Sequence, residues 1–180
     1  MNASLPEQES FWLFGYGSLI WNPSVPHTER IPAQLQDFSR RFWQGSHDHR
    51  GLPHAPGRVV TLVEDAGSVC AGMAFRVPAS AATEVLEQLD HREKNGYSRH
   101  RHWLHTRSGR RLDALVYIAE PDNFAWLGPG PAAEVAQQIA TSTGPSGSNR
   151  EYLERLATAL RELGADDPHV FELEALLRSR

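Results

Sequence analysis

The chain has 180 residues, 40% hydrophobic and 22% charged, with a formal net charge of −4. That length supports one packed core and is short for two, so residues 1–180 are expected to form a single domain. The mildly acidic balance, without long runs of like charge, argues against a nucleic-acid surface. No apolar stretch approaches the roughly 20 residues that a membrane span needs.

The opening "MNASLPEQES" is polar and is expected to be flexible over residues 1–10. It lacks the basic segment and apolar run of a secretory leader, so a soluble, cytoplasmic protein is expected. The lone Cys70 excludes an intramolecular disulfide and fits a reducing compartment. Its setting, "SVCAGMAF", is that of a small core residue.

In chain order, "FWLFGYGSL" reads as a short aromatic-rich strand, ended by "WNPSVP". "IPAQLQDFSRRFW" suits either a strand or irregular extended chain, and "QGSHDHRGLPHAPG" reads as a long loop. In "RVVTLVEDAGSVCAGMAFRV" two apolar, β-branched runs flank "DAGS", which predicts an antiparallel hairpin. "PASAATEVLEQLDHRE" predicts a helix, with Ser80 as N-cap and Val85, Leu86 and Leu89 at helical spacing.

A second hairpin is expected from "SRHRHWLHT" and "RLDALVYIA", joined by "RSGR". Three helices follow. The first opens near Pro131 and stops at Gly144. The second has a capping-box pattern, Ser148 with Glu151, and stops at Gly164. The last has Asp167 ahead of Pro168. Strands first and helices afterwards, without a repeat, predict an α+β fold: a small mixed, largely antiparallel, barrel-like sheet flanked by helices.

The glycines of "FGYGSLIW" raise three possibilities. A dinucleotide fingerprint needs a third glycine where Ile20 stands, and a Walker loop needs a Gly-Lys pair. A nucleophile elbow needs a second glycine after Ser18. What remains is a turn whose outward-facing amides can hold a carboxylate or an oxyanion, or simply a tight strand exit.

Nine histidines invite a metal site, in particular His47, His49 and His54 in one loop and His100, His102 and His105 on one strand. His100 and His102 share a strand face, His105 has the opposite parity, and no zinc motif supports the cluster, so no metal is expected. Among the acids, "LEQLDHREKNGY" stands out. A carboxylate at such a helix-to-turn junction, partly buried beside apolar strands, can serve as a general base. The competing reading of Glu93, between Arg92 and Lys94, is a solvated salt-bridging residue.

Taken together, "FGYGSLIW", "RRFWQGSHDHRGLPHAPGRVVTLVED", "LDHREKNGY", "WLGPGP" and "GPSGSNREYL" resemble the ChaC family, in order and over nearly the whole chain. The resemblance implies the γ-glutamylcyclotransferase fold. It also implies cleavage of glutathione into 5-oxoproline and Cys-Gly, with no cofactor and no metal. It places the family's binding loop on Tyr16, Gly17, Ser18 and Leu19, with Leu13, Phe14 and Gly15 leading in, and the catalytic glutamate on Glu93. Glu84 matches a second acidic position, and Tyr117 a tyrosine beside the γ-glutamyl pocket. The chain departs from the family pattern in its polar N-terminal extension, in Asn95 and in the histidine-rich second hairpin.

The resemblance thus implies a small-molecule partner, glutathione, with no nucleic acid and no membrane; it says nothing of oligomeric state. Two alternatives stand beside it: a cyclotransferase for other γ-glutamyl amines or peptides, and a non-catalytic regulator of cation transport. The turn after Glu93 could also form a lid, with Gly96 as hinge and Tyr97 as cover.

Overall fold

The computed structural model describes residues 9–180 except Lys94, with Arg92 and Glu93 described by their backbone alone. Most of the stretch expected to be flexible, residues 1–10, therefore lies outside the described residues.

Five strands close a barrel: β1 (Phe11–Gly15), β2 (Glu29–Ser46), β3 (Gly57–Val77), β4 (Tyr97–His105) and β5 (Arg111–Ala119), in the order β1-β3-β2-β4-β5. Neighbours are antiparallel except β1 and β5, which run parallel. Helix α1 (Ala79–Glu93) links β3 to β4. Helix α2 (Ala132–Thr141), a two-residue hairpin of β6 (Thr143–Gly144) and β7 (Gly147–Ser148), α3 (Asn149–Glu162) and α4 (Pro168–Arg178) complete the fold. The α+β barrel flanked by helices is the architecture the sequence predicts.

β1 is buried at every position because it packs on both faces. Trp12 and Phe14 join the cluster shared with α2, α3 and α4, whereas Phe11 and Leu13 join the one shared with α1. Successive side chains of a strand point to opposite faces, so a continuous apolar run is what such a doubly covered strand requires.

The hairpin expected around "DAGS" is not there. Residues 57–77 form one long strand, paired along its length with β2, from Glu29↔Arg76 to Ser46↔Gly57. The turn-like residues instead make a bulge, where the register shifts between Gln36 and Phe38. Asp37 takes a positive φ of 64°, and its Oδ1 accepts from the Gly67 amide at 2.9 Å. Asp65 accepts from Ser39 and from Ser68, which holds the bend on both strands. Local turn chemistry is the same for a hairpin and for a bulge, and only the partner strand distinguishes them.

The helix signals hold with small shifts. Ser148 caps α3 by accepting from the Glu151 amide at 3.1 Å, and Asp167 caps α4 by accepting from Val170 at 3.2 Å. The Glu151 carboxylate, however, turns to Arg50 and Arg155 instead of closing a capping box. Ser80 lies inside α1, not ahead of it, and α2 ends at Thr141, before Gly144. Cys70 is buried, and burial pushes its thiol pKa up, as suits a core residue.

A second bulge in β2, between Arg41 and Gln44, takes Phe42 and Trp43 out of the ladder. Their freed backbone groups find other partners. The Phe42 amide donates to His169 Nε2 at 3.0 Å, and its carbonyl accepts from Arg58 at 2.9 Å. The Trp43 carbonyl accepts from the Leu127 and Gly128 amides.

His169 therefore has to remain a neutral acceptor. Burial, helped by the nearby charges of Arg41, Arg40 and Arg58, lowers its pKa from 6.5 to about 4. The unfolded chain takes up this proton first, so the contribution to stability is complete above about pH 6.5 and is lost as pH falls through about 4. The loss should total about 3 kcal/mol. Urea unfolding between pH 7.5 and 4 should show that slope, and His169→Gln, which keeps an acceptor but cannot titrate, should lack it.

Candidate active site

A cavity of about 320 Å³ opens where β1 leaves the barrel. Leu13 and Phe14 lie near the end of the strand, which stops at Gly15, and Tyr16 to Leu19 cross the mouth into a short 3-10 turn, Ser18–Ile20. The first bond of this turn runs from the Ile20 amide to the Gly17 carbonyl, 3.0 Å. The Gly17, Ser18 and Leu19 amides precede it and have no acceptor within the turn. Gly17 leaves the space for this path, since a Cβ there would stand 3.0 Å from both Tyr152 Oη and Val60 Cγ2.

All four tyrosines of the chain, Tyr16, Tyr97, Tyr117 and Tyr152, line this cavity. Each hydroxyl is tied down. Tyr16 donates to the Tyr117 carbonyl at 2.5 Å, and Tyr97 to the Val60 carbonyl at 3.1 Å. Tyr152 accepts from the Val60 amide at 3.4 Å, and Tyr117 accepts from Arg99 Nε at 3.1 Å. Val60 faces the bulge in β2, so its backbone has no ladder partner. Two tyrosines supply what the missing pairing would have.

The turn after α1 reaches the cavity through Asn95 and Tyr97. It is held by a pair of side-chain amides. Gln44, completely buried, donates to Asn123 Oδ1 at 3.0 Å and to the Asn95 carbonyl at 3.1 Å. Asn123 donates back to Gln44 Oε1 at 3.0 Å. Gly96 packs directly on this pair with φ 95°, and a Cβ there would fall 2.4 Å from Asn123 Oδ1. The residues expected to act as hinge and cover are thus both anchored, Gly96 by contact and Tyr97 by its hydroxyl.

The structure brings Leu13, Phe14, Tyr16, Gly17, Ser18, Leu19 and Tyr117 together around this cavity. Gly15 lies just beneath, where a Cβ would stand 2.7 Å from Leu19 Cβ. Glu84 is not brought there: it is exposed on α1 and is not among the lining residues. Glu93 ends α1, two residues before Asn95, and its side chain lies outside the described residues.

Sequence reasoning assigned no role to Tyr152, Arg50, Gln44 or Asn123. The first three sit inside blocks that carry the resemblance, but nothing in their spacing marks them as part of the site. His100 and His102 stack with ring planes 14° apart, the latter edge-on to Phe38. Among the described residues no three His, Cys, Asp or Glu side chains are placed to hold a metal ion.

A small closed barrel with a polar cavity at one strand exit, walled by anchored aromatics, defines a small-molecule site. The family pattern described as ChaC-like protein matches residues 11–180. The chain belongs to the ChaC-like family.

It is 43% identical to the glutathione-specific γ-glutamylcyclotransferase 1 of Danio rerio over 176 residues, 94% of this chain and 90% of the relative. It is 39% identical to the glutathione-specific γ-glutamylcyclotransferase of Schizosaccharomyces pombe, covering 98% of this chain and 97% of that one. The crystal structure of a yeast γ-glutamyl cyclotransferase specific to glutathione superposes with a TM-score of 0.87 at 35% identity, over 95% of this chain and 96% of that chain.

The Gln44–Asn123 pair yields a test of the turn. Gln44→Leu strands the Asn95 carbonyl and takes one partner from each end of the Asn123 amide, which keeps Glu120 and Ala125, and should cost about 1–3 kcal/mol in urea unfolding. Amide hydrogen exchange at residues 95–98 should accelerate selectively, because the clamp and not the barrel is what is lost.

Proposed function

We propose that this protein is a glutathione-specific γ-glutamylcyclotransferase that converts glutathione to 5-oxoproline and Cys-Gly. The observation that carries this reading is the near full-length similarity to enzymes of that name. The cavity is consistent with it, because the loop implied to bind substrate forms one of its walls.

The chemistry makes modest demands on the protein. The γ-glutamyl group carries its own nucleophile, the α-amine. Its nitrogen forms a bond to the γ-carbonyl carbon, closing a five-membered ring, and the bond from that carbon to the cysteinyl nitrogen breaks. No side-chain nucleophile is required, which agrees with a buried Cys70 and with Ser18 serving as part of a turn.

Three tasks remain. The first is folding the flexible glutamyl chain so that amine and carbonyl meet, an entropic term that reaches about 7–11 kcal/mol in well-oriented systems. The rigid walls of Phe14, Tyr16 and Tyr117 are suited to this. The second is stabilising either the α-carboxylate or the developing oxyanion, for which the Gly17, Ser18 and Leu19 amides are available. One such donor is typically worth about 3 kcal/mol.

The third task is proton transfer. Glu93 takes the proton from the ammonium and returns it to the leaving cysteinyl amine. It ends the helix that leads into the cavity-lining turn. General acid–base work of this kind is worth about 10²- to 10⁴-fold in rate.

Glu93→Gln should fold as the parent does and lose at least about 100-fold in 5-oxoproline release from glutathione. Undiminished turnover would remove Glu93 from the mechanism. Glu84→Gln, on the exposed face of α1, should stay within about twofold of the parent. γ-Glutamyl-alanine and γ-glutamyl-lysine, offered in parallel, should be poor substrates, and equal turnover would point to a broader cyclotransferase.

A further inference from the structure

Arg50 is the one arginine or lysine among the described residues that line the cavity. Its side chain is only 12% exposed, so its charge is largely withdrawn from water. Nη1 donates to the Ser148 carbonyl at 3.1 Å and to Glu151 Oε2 at 3.0 Å. That uses both hydrogens of one nitrogen. Nε and Nη2 have no partner among the described residues, and together they present the edge of the guanidinium that grips a carboxylate in a fork. The lining carboxylate, Asp48, is exposed and lies 3.8 Å from His49, an arrangement that leaves this edge unused.

The position of the guanidinium is rigidly set. The Arg50 amide donates to Ser46 Oγ at 2.9 Å, and the preceding carbonyl, of His49, accepts from the Ser146 amide at 2.9 Å. The β6–β7 hairpin lies bare against this segment. A Cβ on Gly144 would stand 2.4 Å from the His49 carbonyl, and one on Gly147 would stand 2.9 Å from Arg50 Nη1. The guanidinium carbon sits 5.7 Å from the centre of the Tyr152 ring, whose hydroxyl end lies beside Gly17. Tyr152 thus contacts the cation through its ring and the glycine loop through its hydroxyl.

A cation and a glycine loop lining one cavity matter because glutathione carries two carboxylates, one at the glutamyl α-carbon and one at the glycine end. Given the cyclotransferase reading above, on which this step rests, the loop side of the cavity is committed to the reacting glutamyl group. We propose that Arg50 binds the glycine carboxylate of glutathione through Nε and Nη2, and that this contact selects the tripeptide over other γ-glutamyl compounds. The fixed fork recognises the non-reacting end, so its binding energy orients the γ-carbonyl at the loop.

The test compares glutathione with its glycyl ethyl ester, in which that carboxylate is capped and neutral, using the full chain and 5-oxoproline release. For the parent, the ester should lower kcat/KM by about 10- to 100-fold, the worth of hydrogen bonds between charged groups. Arg50→Gln should lower kcat/KM for glutathione by the same factor and leave the ester within about twofold. Arg50→Lys, which keeps the charge but not the fork, should fall between the two and supplies the same comparison should the glutamine variant fold poorly.

Equal losses on both substrates would overturn the proposal, because Arg50 would then act on the glutamyl end or on the fold. Unchanged activity toward glutathione would overturn it as well. If the parent releases no 5-oxoproline from glutathione, the cyclotransferase reading itself falls and takes this proposal with it. Loss of activity in Glu93→Gln alone leaves the substrate ratios, and hence the assignment of Arg50, intact.

Discussion

The guanidinium of Arg40 is the point at which this fold is tied together. It is almost completely buried, projecting from the middle of β2. Nε donates to the Tyr16 carbonyl at 2.8 Å, Nη1 to Asp167 Oδ2 at 2.6 Å, and Nη2 to the Ala71 carbonyl of β3. One side chain thus joins the loop at the cavity mouth, the long barrel strand and the start of α4. A buried charge is tolerated only when its donors are met and its charge is balanced. Asp167 provides the balance while capping α4, so the last helix, the barrel and the loop depend on the same pair of charges.

The cavity follows from a second constraint, the break in the β2–β3 ladder at residues 41–44. Breaking a ladder exposes backbone groups that must be met elsewhere. At Val60 they are met by tyrosine hydroxyls, and this is what draws Tyr97 and Tyr152 to the same place as Tyr16 and Tyr117. Where the ladder resumes, at Gln44 opposite Val59, the Gln44 side chain reaches across to Asn95 and Asn123. The wall of the site and the anchor of the turn after α1 have a common origin in one irregularity of the sheet.

Much of this was legible in the sequence where the signals are local. The β4–β5 hairpin, the α3 and α4 caps at Ser148 and Asp167, and the doubly buried β1 are each written into neighbouring residues. The glycine loop was likewise readable as a turn, once Ile20 removed the nucleotide reading. What was not legible depends on partners far along the chain. "DAGS" looks like a hairpin turn until Asp37, 30 residues from Gly67, is seen to accept its amide. Arg40, Gln44 and Arg50 are polar residues in a block whose spacing is neither helical nor strictly alternating. Their roles are set by Tyr16, Asn123 and Ser148, and nothing local announces them.

The placement of polar groups fits a reaction in which the substrate attacks itself. An enzyme that needs no nucleophile of its own gains most by restricting its substrate, because each rotor frozen in advance is removed from the barrier. That favours walls that are themselves immobile. Here the tyrosine hydroxyls are bound to backbone carbonyls, a backbone amide and an arginine and are not left free to rotate toward solvent, and the cation at the far side is fixed by Ser148 and Glu151. Side chains already ordered lose little freedom when a ligand arrives, whereas ordering each flexible one costs about 0.5–1.5 kcal/mol. The turn that follows Glu93 is held in the same way, by Gln44 from below and by Tyr97 from the side. Walls held by hydrogen bonds to the barrel are what the proposed reaction asks for, since it needs a flexible γ-glutamyl chain to close on itself.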